Sequence, residues 1–469
     1  MSYRFLIKNA TIVNEGRVGK GHVLVEGEHI REIVFPEERT EKCPVNLEKA
    51  AAELAESAGG NVEIIEADGL LLLPGVIDDH VHFREPGMTR KADIESESRA
   101  AAAGGVTSYM DMPNCVPPTV TEEALNAKFR RAAEVSRVNY SFYFGATNEN
   151  TASLAHLSTL AHRPCGVKLF MGSSTGNMLV DRRESLEKVF SGTDLLIATH
   201  CEDTALIERN MALFRQRYSE ENENEAPAAL HAQIRSEEAC YVSSSLAVEL
   251  AEKYGARLHV LHVTTARELG LFSDKPLEEK RITAEACLAH LLFSLEDYAV
   301  LKNRIKCNPS IKQLSDREAL REALKTGRID VVGTDHAPHL LEEKERSVFR
   351  AVSGMPMIQF SLVSMLDLCT EGVFDYGMVV EKMCHAPARL FGIGQRGYLR
   401  KGYKADLVLV KPDAEWTLRR EDVLSKCGWS PLEGHTFHHK VVATWVNGCK
   451  AYSEGRVVDD CRGQELRFA

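Results

Sequence analysis

Nowhere does the sequence carry the roughly 18 to 20 consecutive apolar residues that a membrane-spanning helix requires, so a membrane is not an expected partner. The opening stretch MSYRFLIKNATIVNEG also lacks the basic start and continuous apolar core of a signal peptide, and a cytoplasmic protein is expected. Positive charge is short as well. With 57 Lys and Arg against 68 Asp and Glu, the formal net charge is −11. A general nucleic-acid binder needs a basic face to offset phosphate charge, so that class is set aside. A small acidic substrate is not, because a single buried Arg can dominate its local field. The twelve cysteines form no CxxC pair and no dense framework, which reads as reduced thiols in a cytosolic protein.

What is present is ordinary globular material, 44% hydrophobic and 27% charged, in amounts that suit a large α/β barrel as one catalytic body. The first residues read as short strands: FLIKNATIV (5–13), HVLVEGEHIREIV (22–34) and VEIIEADGLLLLPG (62–75), punctuated by Asn-Glu-Gly and Glu-Gly-Glu turns. Between them, the Ala- and Glu-rich stretch 36–60 predicts a surface helix with a flexible end and no chemistry. From about residue 74, apolar strands such as VTSYMDM, NYSFYFGAT and GVKLFMG alternate with longer amphipathic stretches such as TEEALNAKFRRAAEVSR and DRRESLEKVFSG. Repeated about eight times, this rhythm predicts a parallel sheet closed as a (β/α)₈ TIM barrel. The tail returns to strands in KADLVLVKP (404–412) and HKVVATWVNGCKAYSEGRVV (439–458). The expected organisation is therefore a barrel over 74–395 and a small discontinuous β-sandwich domain from both termini, 1–73 with 396–469.

A barrel places its chemistry at the C-terminal ends of its strands. The strand GVID runs into His80-Val81-His82, and residues i and i+2 of a strand share a face. Two imidazoles held that way suit zinc or a similar divalent ion, although an isolated HxH is equally two surface histidines. GVKLFMG buries Lys168 in an apolar strand, where an unpaired ammonium is costly. A buried ion pair would answer that cost; so would a lowered pKa that lets the amine take up CO₂ as a carbamate able to bridge two cations. LLIATHCED ends a strand with His200, LHVLHVTTA with His262, and IDVVGTDHAPH with Asp335. Each alone is unremarkable, but in series they send a matched ligand set to one rim. Two cations held there would lower the pKa of a shared water and polarise a carbonyl, with Asp335 placed beside the hydroxide to accept its proton and return it. Arg84, two residues beyond His82, falls on the same face if the strand continues. It offers a bidentate partner for a substrate carboxylate, or else a surface salt bridge with Glu85 or Glu95. Asn114, closing YMDMPN, could add an amide donor.

DHVHFREPG (79–87), AAAAGGVTSYMDMPN (100–114), GVKLF (166–170), HCED (200–203), LHVTTA (261–266), CNPSIK (307–312) and GTDHAPH (333–339) together resemble the amidohydrolase superfamily. They are most similar to the dihydroorotases within it. More loosely, HAPARLFGI (385–393) and GYKADLVLV (402–410) extend the likeness to the tail. The resemblance implies that His80, His82 and Asp335 bind the more buried of two divalent metal ions, zinc or alternatively manganese or cobalt. His200 and His262 would bind the second, carboxylated Lys168 would bridge them, and Arg84, Asn114, Asn308 and His339 would bind substrate. It further implies reversible hydrolysis of L-dihydroorotate to N-carbamoyl-L-aspartate in pyrimidine biosynthesis, by a homo-oligomer acting on a small molecule that bears a carboxylate. Enzymes that resemble this chain in their metal ligands but act on neutral rings, the allantoinases and hydantoinases, usually lack a basic residue at the Arg84 position. A non-catalytic dihydroorotase-like partner protein is the remaining alternative, against which all six ligands stand. Lys312 where many dihydroorotases carry Arg, the wording GMPMIQFSLVSML (354–366) and the loop MGSSTGNMLV (171–180) depart from the family pattern.

Overall fold

The protein is described by a computed structural model, over residues 4–35, 46–59, 62–172 and 178–469. The expected helix over 36–60 forms at Leu47–Ser57, capped by the Asn46 side chain, and its earlier residues 36–45 lie outside the described ones. So do residues 173–177 of the loop 171–180.

Strands β1 (Arg4–Asn14), β2 (Arg17–Glu26), β3 (His29–Val34), β4 (Glu63–Glu66) and β5 (Leu71–Pro74) open the chain. The middle of the chain supplies β6 (Val76–Val81), β7 (Val106–Asp111), β8 (Asn139–Phe142), β9 (Phe144–Gly145), β10 (Val167–Phe170), β11 (Ile197–His200), β12 (Leu258–Val260), β13 (Ile282–Cys287) and β14 (Val331–Gly333). All pairings among these are parallel, in chain order from β6 to β8 and from β9 to β14. Only Tyr143 separates β8 from β9, so the two act as one broken strand. A parallel bridge between Val81 and His336, with the His82 N–H donating to the His336 carbonyl at 2.7 Å, joins the last strand to the first. Asp78 reinforces that seam, accepting from the His80 N–H and from the N–H and hydroxyl of Thr334. The result is a TIM-barrel-like α/β fold. Its strands are buried on both faces, as parallel strands flanked by helices must be.

The intervening helices begin where the sequence offers cap acceptors. Asp93, Thr121, Asp203 and Ser236 each take a backbone N–H of the first turn. One expected amphipathic stretch, after NYSFYFGAT, is instead a 3₁₀ segment at Thr151–Thr159; Asn150 offers it no side-chain cap bond. Among the described residues no helix is long and apolar enough to cross a membrane.

The tail adds β15 (Leu407–Lys411), β16 (Trp416–Thr417), β17 (Thr436–Phe437), β18 (Lys440–Val446), β19 (Cys449–Ser453) and β20 (Arg456–Val457). Asn447-Gly448 and Glu454-Gly455 turn the last hairpins with positive φ at both positions, the geometry that matches strand twist in tight hairpins. Strands from both ends of the chain join one sheet in the order β20-β19-β18-β15-β5-β1-β2-β3, with β4 also on β1. The expected two-layered sandwich is thus a single hydrogen-bonded sheet, and it curls. A flat sheet would set β1 and β18, three steps apart, about 14 Å from each other, yet the rings of Phe5 and Trp445 stack at 5.5 Å. Curling buries Ile7, Val23, Leu407, Leu409 and Trp445 in one apolar cluster, which gives one sheet the dry interior that two would have provided.

Asp406 locks this sheet to the barrel. Its carboxylate pairs with buried Arg396 and accepts from Asn139 Nδ2 of β8 and from the Asn447 N–H. Asp406→Asn should therefore cost about 1.5–3 kcal/mol, the range for hydrogen bonds to a charged group, seen as a lower midpoint of urea unfolding.

Candidate metal centre

Six expected ligands, brought in by five strand ends, line one cavity with Arg84, Asn308, Phe170, Ala337, Ser353 and Gly354. His80 Nε2 and His82 Nε2 lie 3.3 and 3.1 Å from the same oxygen, Asp335 Oδ1. The ligand atoms of these three side chains all fall within 4.8 Å of one another. Across the cavity His200 Nδ1 and His262 Nε2 are 2.9 Å apart, and the His80 and His262 rings are 5.4 Å apart by centroid. By exposure His80, His200 and His262 are alike at 1%, 2% and 3%, and His82 is at 9%.

The outer nitrogens of two imidazoles are already assigned, and that of a third stands beside a carboxylate. His80 Nδ1 donates to Glu285 Oε1 at 2.9 Å, His82 Nδ1 to Asn114 Oδ1 at 2.7 Å, and His200 Nε2 faces Glu202 Oε2 at 3.1 Å. A neutral imidazole has one N–H. Spending it outward leaves lone pairs on His80 Nε2 and His82 Nε2, converging on further electron-pair donors. Lone pairs packed this closely repel unless a cation sits between them, and outward acceptors are how metal-binding histidines are oriented. The donor set therefore fits a divalent metal. Nitrogen and carboxylate ligands in this number suit zinc and do not exclude manganese or cobalt.

The electrostatics favour a neutral ring at three of the four imidazoles. Burial pushes His82 down to about 4 and lowers His200 and, aided by neighbouring imidazoles, His262. Burial also opposes charge on His80, but Glu285 and Asp335 outweigh it and raise its pKa. For Asp335, burial alone would raise the carboxyl; His80 and His82 hold it well below the usual carboxylate range. Lys168 is 1% exposed, and burial brings its ammonium down to about 8.

Arg84 reaches the cavity differently from the expected strand alternation. β6 ends at Val81, and Arg84 adopts φ 66°. His262 (φ 40°) and Asp335 (φ 47°) share this left-handed region, which non-glycine residues enter at a cost and which collects at functional sites. Neither Glu85 nor Glu95 takes Arg84, since they pair with Arg131 and Arg137. Instead its Nε donates to the Pro338 carbonyl at 3.0 Å and its Nη2 lies 2.9 Å from His339 Nε2. Burial lowers the guanidinium to about 10, still charged at neutral pH. Asn308 lines the cavity, its Oδ1 facing His231 Nε2 at 3.1 Å. Asn114 and His339 stand one step back, against His82 and Arg84.

Glu285 and Glu202 were not singled out by sequence reasoning. Glu285 Oε1 accepts from both the His80 ring and the His262 N–H, at 2.9 Å each, and so ties the two halves of the centre together. Gly333 makes room for it: a Cβ there would sit 2.5 Å from Glu285 Oε2. The signal was available, since a lone carboxylate inside the apolar run RITAEAC is as costly to bury as Lys168 in GVKLFMG. Glu202, in the motif HCED, is fully buried and held by Arg235.

The amidohydrolase family model matches residues 71–450. The chain is 34% identical over 455 residues to a dihydroorotase of Halobacterium salinarum, covering 96% of this chain and all of that one. It is 33% identical over 403 residues to an allantoinase of Bacillus velezensis, covering 84% and 86%. An L-hydantoinase (dihydropyrimidinase) from Arthrobacter aurescens superposes with a TM-score of 0.87 at 25% identity, covering 99% of both chains.

Proposed function

The chain belongs to the amidohydrolase family, close to the dihydroorotases, and from that premise we propose that it is a cyclic amidohydrolase that interconverts L-dihydroorotate and N-carbamoyl-L-aspartate. Arg84 carries the choice of ring. Among the described residues no carboxylate stands within ion-pair distance of this buried guanidinium, which lies against a carbonyl and an imidazole. A buried cation without a counter-charge is costly, and a substrate carboxylate answers it with charge-assisted bonds. Allantoin and hydantoins have no carboxylate and would leave it unpaired.

His80, His82 and Asp335 on one side, His200 and His262 on the other and a carboxylated Lys168 between them would hold two divalent ions, which acidify the attacking water and polarise the ring carbonyl. The rest falls to the protein's own groups. Asp335, anionic at neutral pH, takes the proton of the attacking water and gives it to the ring nitrogen as the C–N bond breaks. Arg84 and Asn308 hold the ring, Arg84 by its carboxylate. Asn114, Glu202 and Glu285 keep the ligand imidazoles in the tautomers that face inward.

The decisive assay compares dihydroorotate, allantoin and dihydrouracil on one preparation of measured metal content. Preference for dihydroorotate with about two equivalents of metal is expected, and preference for either neutral ring overturns the assignment. Arg84→Ala should lower kcat/KM for dihydroorotate about 10- to 100-fold, matching the ~1.5–3 kcal/mol of a hydrogen bond to a charged group, mostly through KM. Unchanged turnover in that variant would remove Arg84 from recognition.

A further inference from the structure

The pair Arg84–His339 poses a proton-counting problem. His339 is buried, and burial followed by the Arg84 charge takes it down to about 3, so it is neutral. A neutral imidazole has one N–H and one lone pair. Arg84 Nη2 lies 2.9 Å from Nε2, and Lys91 Nζ lies 2.9 Å from Nδ1. Guanidinium and ammonium groups only donate, so His339 can accept from just one of them.

The surroundings decide which. Lys91 is held at Nδ1 by an ion pair with Glu343 Oε1 at 2.9 Å, and Glu343 in turn accepts from the Leu340 N–H at 3.0 Å. Glu343 Oε2 stands 3.7 Å from Nδ1, too far to accept a proton from it. The His339 main chain is pinned as well, its carbonyl accepting from Trp429 Nε1 at 2.7 Å. Arg84 is anchored through Nε to the Pro338 carbonyl, but among the described residues no carboxylate pairs with its terminal nitrogens.

We propose that Lys91 is a positioning residue for carboxylate recognition: its ammonium occupies the Nδ1 lone pair of His339 and thereby fixes the Nε2–H tautomer, making His339 a second donor beside Arg84. In the ligand-free arrangement Nε2–H and Arg84 Nη2 then meet donor to donor. A carboxylate entering between them relieves that contact, one oxygen accepting from each. Lys91 so favours an anionic ring without touching it. The kinetic half of this inference rests on the carboxylate-bearing substrate proposed above; the tautomer half does not.

The test is ¹H–¹⁵N spectroscopy of the metal-loaded enzyme labelled at histidine, with the His339 signals assigned by their loss in His339→Gln. Wild type should show the Nε2–H pattern, Lys91→Met the Nδ1–H pattern, and Lys91→Arg, which still donates to Nδ1, a return to Nε2–H. In parallel Lys91→Met should raise KM for dihydroorotate about 5- to 10-fold, one neutral hydrogen bond's worth, with a smaller effect on kcat. An Nδ1–H tautomer in wild type overturns the proposal even if Lys91→Met fails to fold. So does a Lys91→Met enzyme that keeps Nε2–H and an unchanged KM. If no carboxylate ring is turned over at all, the substrate assignment fails while the spectra still decide on Lys91.

Discussion

Asp335→Asn is expected to lower kcat by roughly 10²–10⁴-fold, the range spanned by a positioned general acid–base group, while leaving KM for dihydroorotate nearly unchanged. The asparagine is almost isosteric and keeps an oxygen where Oδ1 meets His80 Nε2 and His82 Nε2 at 3.3 and 3.1 Å. It can still face a metal ion through that oxygen, but it cannot accept the proton of the attacking water or return it to the ring nitrogen. Equal loss in kcat and kcat/KM marks an interaction made only in the transition state. The left-handed backbone at Asp335 tolerates the change, because Asn is among the residues that enter this region most readily. Metal content should be measured on the same sample. If the variant holds its metal and turns over within tenfold of wild type, some other group carries the proton.

The parts of this centre that were legible in the sequence are those whose position follows from topology alone. Once the strand–helix rhythm is recognised, His80, His200, His262 and Asp335 must share a rim, because a barrel sends every strand end to one face. Lys168 was legible for another reason: a charge inside an apolar strand has to be explained. What stayed hidden depends on backbone detail or on long-range pairing. Arg84 was expected to continue the β6 alternation, whereas a left-handed turn at φ 66° aims it. The role of Asn114 Oδ1 in holding His82 was not foreseen either. The Lys91–His339 contact spans 248 residues of sequence, and nothing local announces it. The same holds for the sheet built from both chain ends. Alternation identified its strands, but whether they form one curled layer or two flat ones is settled by which edges find each other.

Lys168→Met separates stability from function at one position. In the metal-free protein the lysine is a buried cation, lowered to about 8 by burial, with its ammonium 4.7 Å from the centre of the Phe170 ring. Methionine fills nearly the same volume and carries no charge, and replacing a buried charge by a packed apolar group is often neutral or stabilising. The metal-free variant should therefore unfold at the same denaturant concentration as wild type or a higher one. The metal-loaded forms should diverge the other way. A pKa of about 8 leaves on the order of a tenth of the amine unprotonated at neutral pH, enough to form the N–C bond to CO₂ with release of a proton. Methionine cannot form that bond, so the oxygens that a carboxylated Lys168 would offer to two cations are absent. Bound metal should fall from about two equivalents to about one, and kcat by at least roughly 10²–10³-fold, the scale on which loss of one preorganised polar partner damages a polar site. Uptake of the second equivalent by wild type should also slow in buffer stripped of CO₂, whereas the variant should be indifferent to it. A Lys168→Met protein that retains two equivalents of metal would show that Lys168 is a buried structural cation and that the two halves of the centre are joined by something else, for which Glu285, bonded to both His80 and the His262 main chain, is the group in place.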